Sequence, residues 1–170
     1  YPRENRRKRD NMLVGIIIGA VVLLLIIFVI SSYNKLVKRK VNVEEAFATM
    51  DVYLKKRFDL IPNLVETVKG YAKHESETLI AVIEKRGSNY DSMTEEQKIE
   101  SGAAISSVIP NIMALAESYP DLKANQNFMN LSNQLEAVEE DIANSRKYYN
   151  GTVKRYNMSV QTIPTNIIAG

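Results

Sequence analysis

The chain has 170 residues, a net charge of +2, and 25% charged against 45% hydrophobic residues. That balance is globular, excludes a disordered chain, and gives no electrostatic reason to expect a nucleic-acid partner. The absence of cysteine excludes disulfides, Cys-ligated zinc and thiol chemistry, while seven glycines and five prolines leave little room for turns and favour long helices. The first residue is Tyr1 and not Met, as expected of a fragment or a processed form.

Residues 1–11 form a basic tail with Arg3, Arg6, Arg7, Lys8 and Arg9. Residues 12–32 follow as a transmembrane helix, because Met12 to Ile30 (MLVGIIIGAVVLLLIIFVI) contains no charge. A bilayer core about 30 Å thick takes about 20 apolar residues in helix. A cleavable signal peptide fits less well: its apolar region spans about 7–15 residues, and no small-residue cleavage site follows Ile30. Lys35, Lys38, Arg39 and Lys40 instead form a basic stop behind a retained, single-pass span. The slight excess of charge before the span favours an inside N-terminus and an outside domain. Gly15 and Gly19, four residues apart, give the span a flat patch on which another backbone can approach, and predict self-association into a homo-oligomer.

Residues 33–170 are expected to be all-α: a bundle of three to four long antiparallel helical segments, with coiled-coil packing where they outrun a compact domain. Val43, Phe47, Met50, Leu54, Phe58, Ile61, Val65, Val68 and Ala72 recur in steps of three or four, as on one face of a helix continuous with the span. Pro62 is expected to kink or interrupt it, and the stripe runs on through Leu79, Val82 and Ile83 to a loop at Gly87-Ser88-Asn89. Ser92 with Glu95 offers a capping box, with Thr94 and Gln97 as the alternative register. The next helix carries Ile105, Val108, Ile109, Ile112, Leu115 and Ala116, contains Pro110, and stops at Tyr119-Pro120. The last starts around Leu122 and carries Phe128, Leu131, Leu135, Val138, Ile142, Tyr149, Val153, Tyr156, Val160 and Ile163. Its stripe passes through Arg146 after two successive four-residue steps, a stutter.

Catalytic motifs fail one by one. His74 is the single histidine, and Thr78 stands where a helical zinc site needs a second one. Glu136, Glu139, Glu140 and Asp141 lack the histidine partners of a di-metal bundle site and read as a charged outer face. Lys55, Lys56 and Arg57, with Lys69 and Lys73, alternate with acids and read as a mixed-charge helix surface. Neither a phosphate-binding glycine loop nor a nucleophile elbow occurs. The chain is therefore read as no enzyme, with no cofactor and no metal.

Polar residues beside the apolar stripes are the remaining anomaly. Arg57, Asp59 and Asn63 surround Pro62, while Arg146 and Asn150 accompany Tyr149. A charge on a buried seam has to be paired, because an uncompensated buried ion costs several kcal/mol. Arg146 is expected to pair with an acid of another helix, Asp59 first. Together Arg57, Asp59, Pro62, Asn63, Arg146, Tyr149 and Asn150 form a candidate structural or partner-binding cluster.

Several strings resemble the LemA family of bacterial membrane proteins: Tyr33-Asn34 with Leu36-Val37, KRFDLIPNLV at 56–65 running into VKGYA at 68–72, and His74-Glu75. AESYPDLKAN at 116–125, Asn127-Phe128, Arg146, Tyr148-Tyr149-Asn150, Val153 and Tyr156-Asn157 continue the likeness from about Tyr33 to Ala169. The resemblance implies an N-terminal membrane helix, a helical domain and a place in the bacterial cell membrane, and it supplies no catalytic residues. A looser similarity to proteins of magnetosome membrane formation implies membrane organisation. The leading expectation is a non-enzymatic membrane-anchored scaffold that self-assembles or organises envelope proteins. The alternative is an adaptor or sensor that presents clients to a membrane protease or signalling enzyme through the Arg57–Asn63 region.

Overall fold

A computed structural model describes residues 2–87 and 89–169, with side chains from residue 7 onward. Ser88 of the expected loop and the side chains of Arg3 and Arg6 lie outside the described residues. The chain is helical almost throughout: α1 (Pro2–Tyr71), α2 (Ser76–Arg86), a 3-10 turn (Tyr90–Ser92), α3 (Glu95–Glu117), α4 (Pro120–Lys123), α5 (Gln126–Gln161) and a final 3-10 turn (Thr165–Ile167). No strand occurs among the described residues. Two compact units divide the chain, Glu45–Asn150 and Tyr1–Glu44 with Gly151–Gly170, so α1 and α5 each contribute to both.

In the Glu45–Asn150 unit, α1 buries Met50, Leu54, Arg57, Ile61, Leu64 and Val68 in alternating steps of four and three. That is the seam spacing of helices packed side by side. Leu79 and Val82 of α2, Ile105 and Ile112 of α3, and Leu131, Leu135, Val138 and Ile142 of α5 complete the core. Each deeply buried Leu or Ile contributes about 1.5–3 kcal/mol of transfer free energy, which holds helices of weak intrinsic stability together.

Pro62 does not end α1. Proline has no N–H, so the carbonyl of Phe58, four residues earlier, loses its intrahelical donor. Arg86 replaces it: its Nε donates to the Phe58 carbonyl at 2.9 Å, and its guanidinium lies 3.8 Å from the Phe58 ring centroid. The chain does break after Tyr71, just past Gly70, so the stripe predicted to run on to Ile83 is divided between two helices, and α2 turns back to pack on α3.

The helix starts follow from caps. Thr94 Oγ1 accepts from the Gln97 backbone N at 3.3 Å while Gln97 Oε1 accepts from the Thr94 N at 2.9 Å, so the alternative register is the one used. Ser92 closes the 3-10 turn instead, donating to the Asn89 carbonyl at 3.1 Å beside buried Tyr90. The last long helix starts at Gln126 and not near Leu122, because Asn125 Oδ1 accepts from the Phe128 N at 3.0 Å and Leu122 belongs to the separate turn α4.

The strings at 68–75 and 116–128 meet at one end of this unit. Asn125 Nδ2 donates to the Tyr71 hydroxyl at 2.8 Å, Asn127 Nδ2 to Thr67 Oγ1 at 3.0 Å, and the Tyr119 hydroxyl to Glu75 Oε1 at 3.2 Å. The first two bonds tie the end of α1 to the start of α5, and the third ties the start of α2 to the junction of α3 and α4.

Along α5 the buried positions are Val138, Ile142, Ser145, Thr152 and Ser159, with half-buried Tyr149 and Tyr156 between them. The steps alternate four and three, so the expected stutter through Arg146 is absent: Ser145 holds the seam and Arg146 stands beside it, half-buried. Ser145, Thr152 and Ser159 recur every seven residues. The Ser145 hydroxyl donates to the Ile142 carbonyl and the Ser159 hydroxyl to the Arg155 carbonyl, both within the helix.

In the other unit, Met12 to Ile30 is helical and exposed at every position. It is long and apolar enough to cross a membrane; α3 passes the same test of length and composition, but its apolar residues lie in the core just described. A Cβ added at Gly15 or Gly19 would meet nothing within 4 Å. Beyond the apolar stretch, Ser32 and Leu36 are buried, and Arg39 Nη1 donates to the Arg155 carbonyl at 3.1 Å.

Candidate functional site: a buried arginine and the groove beside it

Arg57 occupies a seam position of α1 and is only 1% exposed. Its Nη1 donates to Ser106 Oγ and to Glu139 Oε1, both at 2.5 Å, and its Nη2 donates to the Gly102 carbonyl at 2.5 Å. Ser106 in turn donates to Glu139 Oε2 at 3.2 Å, so one carboxylate binds both members of the pair. Arg57 Nε has no partner among the described residues. A buried guanidinium survives only with such compensation, since losing one partner of a buried ion pair costs about 3–5 kcal/mol.

Gly102 makes the arrangement fit. A Cβ at that position would lie 2.8 Å from Leu54 Cδ2 and 3.1 Å from Arg57 Nη2. Its absence lets α3 approach α1 closely enough for the Gly102 carbonyl to face the guanidinium.

Glu139, with its side chain 34% exposed, connects this buried cluster to an open groove of about 450 Å³. Ser106, Glu139, Arg146, Lys147 and Asn150 line the groove. The arrangement sets two cations of α5 beside a carboxylate that Arg57 already engages. That suits an acidic or hydrogen-bonding ligand. His74 is exposed, and no group of three His, Cys, Asp or Glu side chains is placed to hold a metal among the described residues.

A second polar network stands on Asp51. Its carboxylate accepts from the Tyr90 hydroxyl at 2.6 Å and from Lys98 Nζ at 2.8 Å. Lys98 and Lys55 lie 4.9 Å and 5.5 Å from the Tyr90 ring centroid, and Phe58 packs on that ring at 5.1 Å. Burial, followed by the bond to Asp51, pushes the Tyr90 phenol well above its ordinary range. The bond to Asp91 raises the Lys55 ammonium.

The sequence-predicted cluster is only partly brought together. Arg146 and Asn150 line the groove beside the Arg57–Glu139 pair, and Tyr149 packs edge-on against Phe47 with ring centroids 5.8 Å apart. Asp59, Pro62 and Asn63 are exposed and line no part of the groove. The expected Arg146–Asp59 pair does not form. Asp59 follows Arg57 by two residues, about 200° around the helix, and so points away from the seam. The ion pair of the core is instead Arg57–Glu139. Arg57 is accordingly no part of a charged surface, and Glu139 no part of an outer face. Sequence reasoning also missed Ser106 and Gly102. Glu139 does have a signal, standing four residues after Leu135 and three before Ile142, on the edge of the stripe.

The model of the LemA family matches residues 46–170. The chain belongs to the LemA family. It is similar to Protein LemA of Metamycoplasma hominis, 25% identical over 138 residues that cover 80% of this chain and 63% of that relative. The chain thus spans less than two thirds of the length of this LemA relative. The LemA match takes in Arg57, Gly102, Ser106 and Glu139 and leaves the apolar stretch Met12–Ile30 outside it.

Proposed function

We propose that this LemA-family chain is a non-enzymatic scaffold, anchored in a bacterial membrane by Met12–Ile30, that self-assembles and organises other membrane proteins. The observation that carries the reading is the exposure of every residue of that uncharged stretch, with open space over Gly15 and Gly19. Nineteen consecutive apolar residues in water are untenable, and a bilayer removes the cost. The two glycines then offer a partner helix in the same bilayer a surface for close backbone approach. The domain's buried guanidinium is engaged by internal partners, Glu139 and the Gly102 carbonyl, which suits a framework role. Light scattering on the gently solubilised chain tests the self-assembly. A multimer that dissociates on Gly15→Leu with Gly19→Leu supports it, and a monomer throughout overturns it.

The groove favours a second reading, an adaptor that presents clients to another membrane protein. Arg146 and Lys147 suit an acidic peptide segment, so the adaptor surface falls on α5 and not on Arg57–Asn63. Crosslinking from Lys147 that recovers only further copies of this chain counts against it.

A further inference from the structure

Ile163 and Ile167 are 81% and 78% exposed, more than any large hydrophobic residue of the Met12–Ile30 stretch. Single exposed hydrophobes are ordinary on a protein surface. Their place is what distinguishes these two. They lie in the short segment after α5, in the same compact unit as the start of α1. Within that unit α5 runs back along α1: Arg155 bonds Arg39, and Tyr156 and Val160 line one pocket with Tyr33, Leu36, Val37 and Lys40. Ile168 and Ala169 line the same pocket. The segment therefore lies against α1 at the turn where the apolar stretch ends, and Ser32, two residues past Ile30, is buried there.

We propose that this segment is a second membrane contact, a foot that inserts Ile163 and Ile167 into the headgroup boundary beside the emerging α1. The inference rests on the anchoring reading above. Three features fit a lipid interface. The segment bonds part of its own backbone: Thr162 N donates to the Met158 carbonyl, Asn166 N to Thr162, and both Ile168 N and Ala169 N to Thr165. The Thr165 hydroxyl donates to the Ser159 carbonyl, with the Thr162 carbonyl a second acceptor within reach at 3.0 Å. Local bonding of this kind lowers the cost of placing irregular backbone in a low-polarity surrounding. Exposed Tyr33 stands at the same level, as aromatic side chains do at membrane–water boundaries. Lys35, Lys38, Arg39, Lys40, Lys154 and Arg155 supply the cations that draw a protein surface onto anionic headgroups.

The chain contains no tryptophan, so single-tryptophan variants of the full chain each report from one place. Ile163→Trp, Ile167→Trp, Leu24→Trp and Ile80→Trp are reconstituted in phosphatidylcholine vesicles containing phosphatidylglycerol. The phosphatidylcholine is brominated either near the headgroup or near the chain end. Leu24 samples the proposed span, and Ile80 is an exposed isoleucine of the Glu45–Asn150 unit. The expected result is shallow-bromine quenching at positions 163 and 167 several-fold stronger than at 80, with Leu24→Trp quenched by the deep bromines. If 163 and 167 match position 80 and yield to aqueous acrylamide while Leu24→Trp is lipid-quenched, the foot is overturned and the anchor stands. If Leu24→Trp escapes lipid quenching, the anchoring reading fails and the foot with it.

Discussion

Arg86 donates its Nε to the carbonyl of Phe58, the one backbone acceptor in α1 that Pro62 deprives of its donor. A residue of α2 thereby repairs a defect that the sequence of α1 creates, and it explains why a proline at position 62 is compatible with an unbroken helix. Burial holds the Arg86 guanidinium somewhat below its ordinary range, an effect that the charge of Asp59 opposes.

The repair predicts a coupled pair. Arg86→Met leaves the Phe58 carbonyl without its donor and is expected to destabilise the chain by about 1–3 kcal/mol. In a Pro62→Ala background residue 62 regains its N–H, so the same substitution is expected to cost markedly less. Urea unfolding of the four chains in detergent micelles measures the coupling. Equal costs in both backgrounds contradict the repair.

The Arg57–Glu139 pair predicts an asymmetry. Glu139→Gln leaves a buried guanidinium short of its counter-charge and is expected to cost about 3 kcal/mol, the low end for a broken buried pair because water reaches Glu139. Arg57→Met combined with Glu139→Gln removes the charge that needed compensation and is expected to recover most of that loss. A double variant less stable than Glu139→Gln alone contradicts the assignment.

Two glycines are expected to respond with opposite signs. Alanine at position 102 gains about 1 kcal/mol of helix propensity but drives its Cβ against Leu54 and Arg57, for which overpacking costs of about 1–3 kcal/mol are usual, so Gly102→Ala is destabilising overall. Alanine at position 151, inside α5 with nothing within 4 Å, meets no such obstacle and stabilises by about 0.4–1 kcal/mol. Thermal unfolding followed by circular dichroism separates the two; a stabilising Gly102→Ala refutes the close approach.

Tyr90 predicts an alkaline weakness. Its folded phenol holds the proton more tightly than the unfolded one, which ionises near the ordinary value of about 10. Its contribution is therefore full below about pH 10 and declines as pH rises beyond that value, because only the unfolded state then releases the proton. Tyr90→Phe is expected to make the stability curve shallower above pH 10. Tyr119 and Tyr149, both raised chiefly by burial, leave a residual slope. An unchanged slope contradicts the upward shift of the Tyr90 phenol by burial and the bond to Asp51.

The long elements were legible because hydrophobic spacing is a local property: Met50, Leu54, Ile61, Val68, Leu135 and Ile142 each recur at helical intervals that need no knowledge of the neighbours. What was not legible depends on contacts between helices. Nothing near position 62 announces Arg86, and nothing near position 57 announces that Gly102 leaves room for a guanidinium. The choice of Phe58 over Arg57 as a stripe residue shows the difficulty, since both are buried and only the partner helices explain the charge. Small seam residues such as Ser145 and Thr152 were passed over for their larger neighbours Arg146 and Val153, because size signals a core in sequence whereas close approach favours the small side chain.

Alkaline carbonate extraction of membranes from cells expressing the full chain tests the anchor most directly. Insertion of Met12–Ile30 predicts that the chain stays with the pelleted bilayer and leaves it only with detergent. Recovery of the chain in the carbonate supernatant contradicts the anchor, and with it the self-association through Gly15 and Gly19.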